Sequence, residues 1–291
     1  MQLDKLAQRV NKGLKSQMEN VAAIILNYKS WNETIEEIDI LHKLFHLSAE
    51  QIIVIDNNSP NDSSIELNKR CVGSFRLLQS SENKGYASGN NIGLKAAFSA
   101  GYKYALVLNN DIIFEDENSL LKLKKCLETD DSIGAISPDV YYPDGKIYNR
   151  NSIRPNFWDM TLGIYSFKKR SREIKNLGDY GYVYRPQGCC MMVDLAKMSE
   201  IEFLDEHTFL YSEESILAER LLKKGYKCAV CTSTSIIHNH SVTVKDSIQT
   251  KEIEKIRLKS HNYLLREYRH YPEWMIKIAN VFDKIIFRLT S

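Results

Sequence analysis

Short apolar runs alternate with amphipathic segments along the first half of the chain. Three of the runs carry no charge, as is typical of strands buried on both faces. They span 21–26, 51–55 and 105–108, and a shorter strand is predicted at 75–79. Between the runs, apolar residues recur every three or four positions, which predicts helices at 32–47, 64–72, 87–100 and 119–128. The alternation predicts an α/β fold with a largely parallel sheet and helices on both faces.

The second half of the chain is less regular. Residues 137–185 are rich in Tyr, Asn, Pro and Gly, so we expect loops and short strands over the carboxyl edge of the sheet. Further on, the pattern predicts strands at 188–193 and 227–237, with a helix at 212–224 between them. The predicted organisation is an N-terminal amphipathic helix (1–20), a main domain (21–243) and a C-terminal helical region (244–291).

Composition excludes several classes of protein. The chain has 291 residues and a formal charge of +2, without the dense basic stripe of a nucleic-acid-binding protein. We find neither a membrane-length apolar stretch nor the apolar core of a signal peptide, and expect a cytoplasmic protein. The six cysteines lack disulfide-framework spacing. The CxxC formed by Cys228 and Cys231 predicts buried thiols rather than a zinc site.

Polar clusters follow four of the predicted strands. They are Asn27-Tyr28, Asp56-Asn57-Asn58-Ser59, Asn109-Asn110-Asp111 and His238-Asn239-His240. Because the carboxyl ends of parallel strands share one edge of a sheet, where α/β folds bind ligands, we expect these clusters to converge. The oxygen-bearing side chains at 109–111 suit a hard divalent cation that could hold a diphosphate. An ordinary Asn/Asp turn is the alternative.

Taken in order, these motifs resemble the nucleotide-binding half of glycosyltransferase family 2. The residues that carry the resemblance are 26–28, 54–59, 83–93, 108–111, 188–193, 209–214 and His238. The resemblance covers roughly 21–243 and implies a GT-A fold, in which a nucleotide-binding α/β half is fused to an acceptor-binding half. It also implies an inverting, metal-dependent transfer from a nucleoside-diphosphate sugar. Among the branches of the family, the sequence is most similar to bacterial capsule and O-antigen enzymes, including rhamnosyltransferase-like members.

The resemblance assigns donor-binding roles residue by residue. Asp56 would accept a hydrogen bond from the N–H of uracil or thymine, so the donor would be linked to UDP or dTDP. Asn90 has an alternative interpretation as a helix N-cap. The full set implied to bind the nucleotide sugar is Asn27, Tyr28, Asp56, Asn58, Asn83, Lys84, Gly85, Asn90, Asn109, Asn110 and Gly188.

The resemblance also implies a metal site and a catalytic base. Asp111 would bind Mg²⁺ or Mn²⁺ with Asn109 and His238, although Asn109 stands where the family usually has an acid and supplies no charge. Glu214 would be the base, with Glu213 as a supporting acid. The alternative is that both acids lie in the first turn of a helix because they complement its dipole. Two adjacent acids on a helix point about 100° apart, so we expect only one to face the site.

The acceptor would be a saccharide, and the family analogy allows one carried on a polyprenyl diphosphate. Two aromatic residues of the middle segment, Phe157 and Trp158, together with Tyr165, fit either sugar stacking or core packing. Near the C-terminus apolar residues recur at helical spacing, with basic residues on another face. The apolar set is Trp274, Ile278, Val281, Phe282, Ile285 and Leu289, and the basic set is Lys277, Lys284 and Arg288. This helix fits either an anionic membrane surface or packing on the catalytic domain or on a second copy in a homodimer.

The sequence does not fit two other classes of nucleotide-binding enzyme. A sugar nucleotidyltransferase should show a Gly-rich loop after the first strand, and a dinucleotide oxidoreductase should show GxGxxG there. The segment 27–31, Asn-Tyr-Lys-Ser-Trp, is neither. A non-catalytic protein that binds nucleotide sugars or glycans stays open because Asn109 and Ile216 stand where family members usually carry acids.

Overall fold

The computed structural model describes residues 17–239 and 250–290, and it shows nine strands and nine α-helices within those ranges. The strands are β1 (Val21–Asn27), β2 (Ile52–Asp56), β3 (Arg76–Gln79), β4 (Tyr104–Leu108), β5 (Ile112–Phe114), β6 (Ile133–Tyr141), β7 (Tyr180–Val183), β8 (Cys190–Asp194) and β9 (Lys227–His238). The helices are α1 (Trp31–Phe45), α2 (Ser63–Arg70), α3 (Tyr86–Ser99), α4 (Ser119–Thr129), α5 (Ile164–Arg170), α6 (Leu195–Glu200), α7 (Glu213–Lys223), α8 (Thr250–Tyr263) and α9 (Glu273–Thr290). The predicted N-terminal helix lies mostly outside the described residues.

The strands form one mixed sheet in the order β3-β2-β1-β4-β8-β6-β9-β5, and β7 also pairs with β9. The first four strands are parallel, which agrees with the alternation read from the sequence. In the second half, β8 runs antiparallel to both β4 and β6, while β6 and β9 are parallel. Strands β5 and β7 are antiparallel to β9.

The sheet is buried on both faces, as the uncharged strands predict. In β1, Ala23 and Ile25 pack with α1, α2 and α4, whereas Ala22 and Ile24 pack with α3, α6 and α7. Helix α3 lies unusually close to the sheet, because a Cβ at Gly93 would come within 2.7 Å of both Ile24 and Ile55. This contact fixes the start of α3 beside the ends of β1 and β2.

Two features bring distant segments to the carboxyl edge of the parallel strands. Because β8 is antiparallel to β4, it begins where β4 ends: Leu108 pairs with Cys190, and the Asn109 N–H donates to the Cys189 carbonyl at 2.9 Å. Strand β9 runs in the direction of β4 and ends at His238, which pairs with Ile112 of β5. Gly188, Asp111 and His238 therefore lie at the same edge.

The middle segment was predicted only in part. Strand β6 extends to Tyr141, and β7 and α5 also lie in the stretch expected to be loops and short strands. The missed strand β6 carries Asp139 in its buried pattern, where Arg150 forms a two-pronged ion pair with it at 2.6 and 2.7 Å. A charged residue inside this segment, whose arginine partner is distant in sequence, interrupts the apolar pattern that is typical of a buried strand.

The C-terminal helices pack on the main domain. The hydroxyl of Ser260 donates to the Leu210 carbonyl at 2.8 Å, and the hydroxyls of Tyr263 and Tyr268 both donate to Asp205. Arg269 donates to the Pro155 carbonyl at 2.6 Å. No helix within the described residues is both long enough and apolar enough to cross a membrane.

Candidate active site

The carboxylate of Asp56 is held in place at the end of β2. Asn27 donates to its Oδ1 at 2.8 Å, and the Ser59 hydroxyl donates to the same atom at 2.6 Å. The neighbouring Asn58 is exposed and has φ 55°, a left-handed turn that reverses the chain. Tyr28 follows β1, with the Lys29 ammonium 5.1 Å from its ring centroid. The Asp56 carboxylate is thus held rigidly by two donors, and Tyr28 directly follows one of them, Asn27.

A buried chain of hydrogen bonds links Asp56 to the end of β4. The Thr34 hydroxyl donates to Asn27 Oδ1 at 3.0 Å, and Asn110 Nδ2 donates to the Thr34 hydroxyl at 2.8 Å. Asn110 also donates to the Ser30 hydroxyl at 2.8 Å. Asn110 therefore holds the first turn of α1 against the sheet edge, and Asp111 follows it directly.

Asp111 and His238 form a pair that fits a divalent cation. Asp111 Oδ1 lies 3.2 Å from His238 Nε2, and the Tyr148 hydroxyl lies 3.2 Å from His238 Nδ1. Adjacent ligands in an octahedral site with bonds of about 2.1 Å are about 3 Å apart, so this separation fits. Within the described ranges, no three acidic, histidine or cysteine side chains cluster into an all-protein metal site. Two protein ligands completed by phosphate oxygens match the usual Mg²⁺ arrangement at nucleotide sites.

The Asn83-Lys84-Gly85 turn is fixed by its neighbours. Asn57 donates to Asn83 Oδ1 at 3.0 Å, and the Gly85 N–H donates to the same atom at 2.9 Å. Gly85 has φ 97°, and a Cβ there would lie 1.9 Å from the Phe209 carbonyl oxygen, so only glycine fits. Lys84 is exposed and forms a 2.7 Å ion pair with Glu82.

Asn90 lies inside α3, since Gly85 occupies the N-cap position of that helix. The alternative N-cap interpretation is therefore wrong. Its Nδ2 donates to the Tyr86 carbonyl at 3.0 Å, while its buried Oδ1 has no hydrogen-bond partner in the structure. The structure places this amide at the buried side of the first turns of α3.

The acid pair begins α7 after a strained turn. Tyr211 and Ser212 both have left-handed backbones, with φ of 73° and 71°. Glu214 Oε1 lies 2.7 Å from the point where a Cβ on Gly188 would stand, so the carboxylate covers the Gly188 backbone. On its other side, Arg185 Nη1 lies 3.7 Å from Glu214 Oε2. The strained turn therefore delivers Glu214 to the edge where β4 ends and β8 begins.

Glu213 has a different environment. It is 7% exposed, and its Oε1 is buried without a hydrogen-bond partner in the structure. Burial, and then the negative charge of Glu214, raise the pKa of Glu213 to about 8. At neutral pH Glu213 accordingly holds a proton while Glu214 faces a guanidinium. The two acids therefore lie in different environments.

Cys189 joins the segment under Glu214 to the end of β4, since it follows Gly188 and its carbonyl accepts from the Asn109 N–H. Burial raises the pKa of its thiol well above the usual range, and the charges of Asp111 and then Glu214 raise it further. The thiol thus lies within electrostatic reach of both carboxylates.

Three residues near the site were not predicted. Glu37 of α1 is 2% exposed, and burial followed by the charge of Asp111 raises its pKa well above the usual value. The sequence did contain a signal for Glu37, because it falls on the core-facing side of α1 together with Thr34, Ile38 and Leu41. Arg185 and Tyr148 lie in segments without regular periodicity, where the spacing of residues does not indicate which way a side chain points.

Solved structures share this fold. GalNAc-T7 with UDP, GalNAc and Mn²⁺ matches with a TM-score of 0.60 at 15% identity, over 85% of this chain and 47% of that one. The mannosyltransferase PcManGT from Pyrobaculum calidifontis, in complex with GDP-Man and Mn²⁺, matches with a TM-score of 0.55 at 12% identity, over 94% and 75%. The predicted GT-A fold, with added C-terminal helices, is confirmed.

Two curated relatives match over most of this chain. The low-salt glycan biosynthesis hexosyltransferase Agl10 of Haloferax volcanii is 25% identical over 232 residues, which are 78% of this chain and 70% of the relative. The O-antigen chain rhamnosyltransferase WbaN of Salmonella anatum is 23% identical over 202 residues, which are 68% of this chain and 59% of the relative. The family model "Glycosyl transferase family 2" matches residues 23–196, more than half of the chain. The chain is therefore a glycosyltransferase that belongs to glycosyl transferase family 2.

Proposed function

We propose that this protein transfers a hexosyl residue from a UDP- or dTDP-linked sugar to a saccharide acceptor with inversion at the anomeric carbon. The observation that carries the proposal is the convergence of Asp56, Asp111 and Glu214 on one sheet edge. The first two are joined through the hydrogen-bonded Asn27, Thr34 and Asn110. Glu214 lies over Gly188, next to the Cys189 carbonyl that accepts from the Asn109 N–H at the end of β4. A nucleotide-sugar transferase needs an acceptor for the base, a cation site for the diphosphate and a base for the attacking hydroxyl.

Asp56 is proposed to bind the nucleobase. Its Oδ1 already accepts from Asn27 and Ser59, and Oδ2 accepts only a long 3.3 Å bond from the Ser59 N–H. Oδ2 therefore retains capacity for the imide N–H of uracil or thymine. Tyr28, which follows the Asp56 partner Asn27, is proposed to supply a ring on which the base stacks.

Asp111 and His238 are proposed to hold Mn²⁺ or Mg²⁺, with the Asn109 amide oxygen as a neutral ligand. A bound cation stabilises the charge that develops on a departing diphosphate. The histidine nitrogen favours Mn²⁺ over Mg²⁺. Mn²⁺ in the two solved structures named above supports this choice.

Glu214 is proposed as the catalytic base. A base must accept the proton of the attacking hydroxyl, and the Glu214 carboxylate lies over the Gly188 backbone with Arg185 Nη1 3.7 Å from its Oε2. Glu213 retains its proton because its pKa is raised to about 8. The deprotonated acceptor hydroxyl attacks the anomeric carbon from the face opposite the nucleotide, so a single displacement inverts that centre.

The acceptor is proposed to be a growing surface glycan of a bacterium, with a polyprenyl-diphosphate-linked saccharide as the first one to test. The support is the match to a Salmonella anatum protein named as an O-antigen chain rhamnosyltransferase. We propose cytoplasmic synthesis, where nucleotide sugars are made.

The test is release of nucleoside diphosphate from a panel of UDP-, dTDP- and GDP-sugars, with Mn²⁺, Mg²⁺ or EDTA. We expect turnover with a UDP- or dTDP-sugar, dependence on the cation, and loss in Asp111→Ala and Glu214→Gln. Matched controls are Asp144→Asn and Glu128→Gln, which remove exposed acids that pair with Lys146 and Lys124. Full turnover in both site variants would refute the assignment. Calorimetric binding of donors without any turnover would instead support a non-catalytic binding protein.

A further inference from the structure

The C-terminal helix α9 is docked on the protein by one face and presents an apolar stripe on the other. Its docked face includes Ile276 and Ala279, which are 2% and 1% exposed and pack with Leu265. Four large apolar residues of the same helix are exposed to solvent. They are Trp274 at 61%, Ile278 at 40%, Val281 at 57% and Ile285 at 50%.

These four residues lie on one side of the helix. Their separations of four, three and four positions keep them within about 60° of one another at about 100° per residue. By the same geometry, Ile276 and Ala279 lie on the opposite side. The sequence left open whether the apolar set of this helix packs on the protein. In the structure Trp274, Ile278, Val281 and Ile285 are exposed, whereas Phe282 is half-buried.

A second segment extends this surface. Trp158 and Leu162 are 64% and 72% exposed, and the ring of Phe157 lies 6.3 Å from that of Trp274. We call Trp158, Leu162, Trp274, Ile278, Val281 and Ile285 the apolar face. Two elements far apart in sequence thus contribute exposed tryptophans to neighbouring positions, and such contiguous apolar exposure marks an interaction surface.

Positive charge borders the apolar face. Lys277 and Lys284 are exposed and lie seven residues apart, on the same flank of the stripe. Nearby acids of α9 are engaged elsewhere: Glu273 pairs with Arg266 at 2.7 Å and Asp283 with Arg257 at 2.5 Å. The flank therefore favours an anionic partner.

We propose that the apolar face docks on the surface of an anionic phospholipid bilayer, with α9 parallel to the membrane plane. Tryptophan favours the headgroup level of a bilayer, and lysines beside an apolar stripe are attracted to anionic headgroups. A second copy fits less well. A two-fold dimer that packs two α9 helices antiparallel through this face would set Lys277 and Lys284 of both copies on the same side of the interface, where their charges repel. The proposal does not depend on which sugar is transferred.

The test is flotation of the full-length protein with vesicles of phosphatidylcholine alone or mixed with phosphatidylglycerol. We expect binding to the mixed vesicles that weakens at high salt. Ile278→Ser with Val281→Ser should lower the partition coefficient about tenfold or more, because both side chains lose apolar area that inserts. Lys277→Ala and Lys284→Ala should each lower it about fivefold on mixed vesicles only.

The matched control is Val72→Ser, which removes a valine that is 91% exposed outside the apolar face. It should leave vesicle binding unchanged. Release of nucleoside diphosphate from a freely diffusing donor reports whether each variant is folded, and it separates this proposal from the proposed function. Wild-type protein that stays unbound on mixed vesicles would overturn the proposal. A dimer of the wild-type protein that dissociates in the Ile278→Ser, Val281→Ser variant would also overturn the proposal, because the apolar face would then bind a second copy.

Discussion

Replacing Glu213 by Gln should stabilise the protein, and by an amount that depends on pH. The carboxyl is buried, and its pKa rises from 4.5 to about 8, first through burial and then through the charge of Glu214. A carboxyl whose pKa is higher in the folded state binds a proton more tightly there than in the unfolded chain. The stability of the wild-type protein therefore falls as the pH rises from 4.5 to about 8, and this loss ends above that pH.

The size of the effect follows from linkage. One pH unit within this window costs about 1.4 kcal/mol for one proton. At pH 7 the penalty relative to pH 4.5 is on the order of 3 kcal/mol, which is a ceiling because the first turn of α7 can relax around the charge. Glutamine has the shape of the protonated acid and does not ionise. Glu213→Gln should thus be more stable than wild type at pH 7 and nearly equal to it at pH 4.5.

The measurement is the free energy of unfolding in urea for both proteins from pH 4.5 to 8.5. The control is Glu219→Gln in the same helix. Glu219 is also buried, but it accepts two bonds from Arg154 at 2.6 and 2.8 Å and one from the Tyr184 hydroxyl at 2.7 Å. This variant should be destabilised by about 3 kcal/mol at pH 7, because it leaves a guanidinium with a neutral partner. A difference between Glu213→Gln and wild type that does not change with pH would refute the reasoning.

Substituting Glu213 and Glu214 one at a time tests which of the two acids is the catalytic base. Since Glu213 is already neutral at pH 7, Glu213→Gln should keep the turnover number within about tenfold of wild type, whereas Glu214→Gln should lower it by about 1,000-fold. The reverse order would make Glu213 the base.

Three further predictions test the site. Gly188→Ala should lower kcat about 100-fold with little loss of stability, because the new methyl group displaces the flexible end of Glu214. The control Gly134→Ala, which meets Leu221 in the core, should lower the melting temperature but spare kcat. Ser212→Gly should raise stability by about 1 kcal/mol in urea, since it relieves a left-handed backbone. Mn²⁺ should bind at least about tenfold more tightly with UDP present, as measured by electron paramagnetic resonance. Equal affinity for Mn²⁺ with and without UDP would contradict this last prediction.

The position of residues that follow buried strands, at one edge of the sheet, could be predicted from the sequence. The uncharged runs of β1, β2 and β4 identify parallel strands, and Asn27, Asp56 and Asp111 come at or just after their ends. Their convergence then follows from a general property of such sheets. The pattern is local, so a single sequence is enough to read it.

The pairing of distant strands could not be read in the same way. That β8 runs antiparallel between β4 and β6 depends on contacts across many residues, and it is what brings Gly188 and Asn109 together. Arg185 lies in irregular sequence, where no periodicity indicates which way the side chain points. The protonation of Glu213 depends on burial, which only the packed structure determines.

The charge of the site explains why nucleotide should be needed to hold the cation. Asn109 replaces an acid that the family usually has, and burial followed by the charge of Asp111 raises the pKa of the nearby Glu37 well above its usual value. Among the described residues, the proposed cation site therefore offers one carboxylate, from Asp111, and one imidazole, from His238, which together bind a hard cation weakly. The diphosphate of the donor brings the missing negative charge and oxygen ligands. Donor and cation should accordingly bind as one unit, and loss of the diphosphate after transfer should release the cation with it.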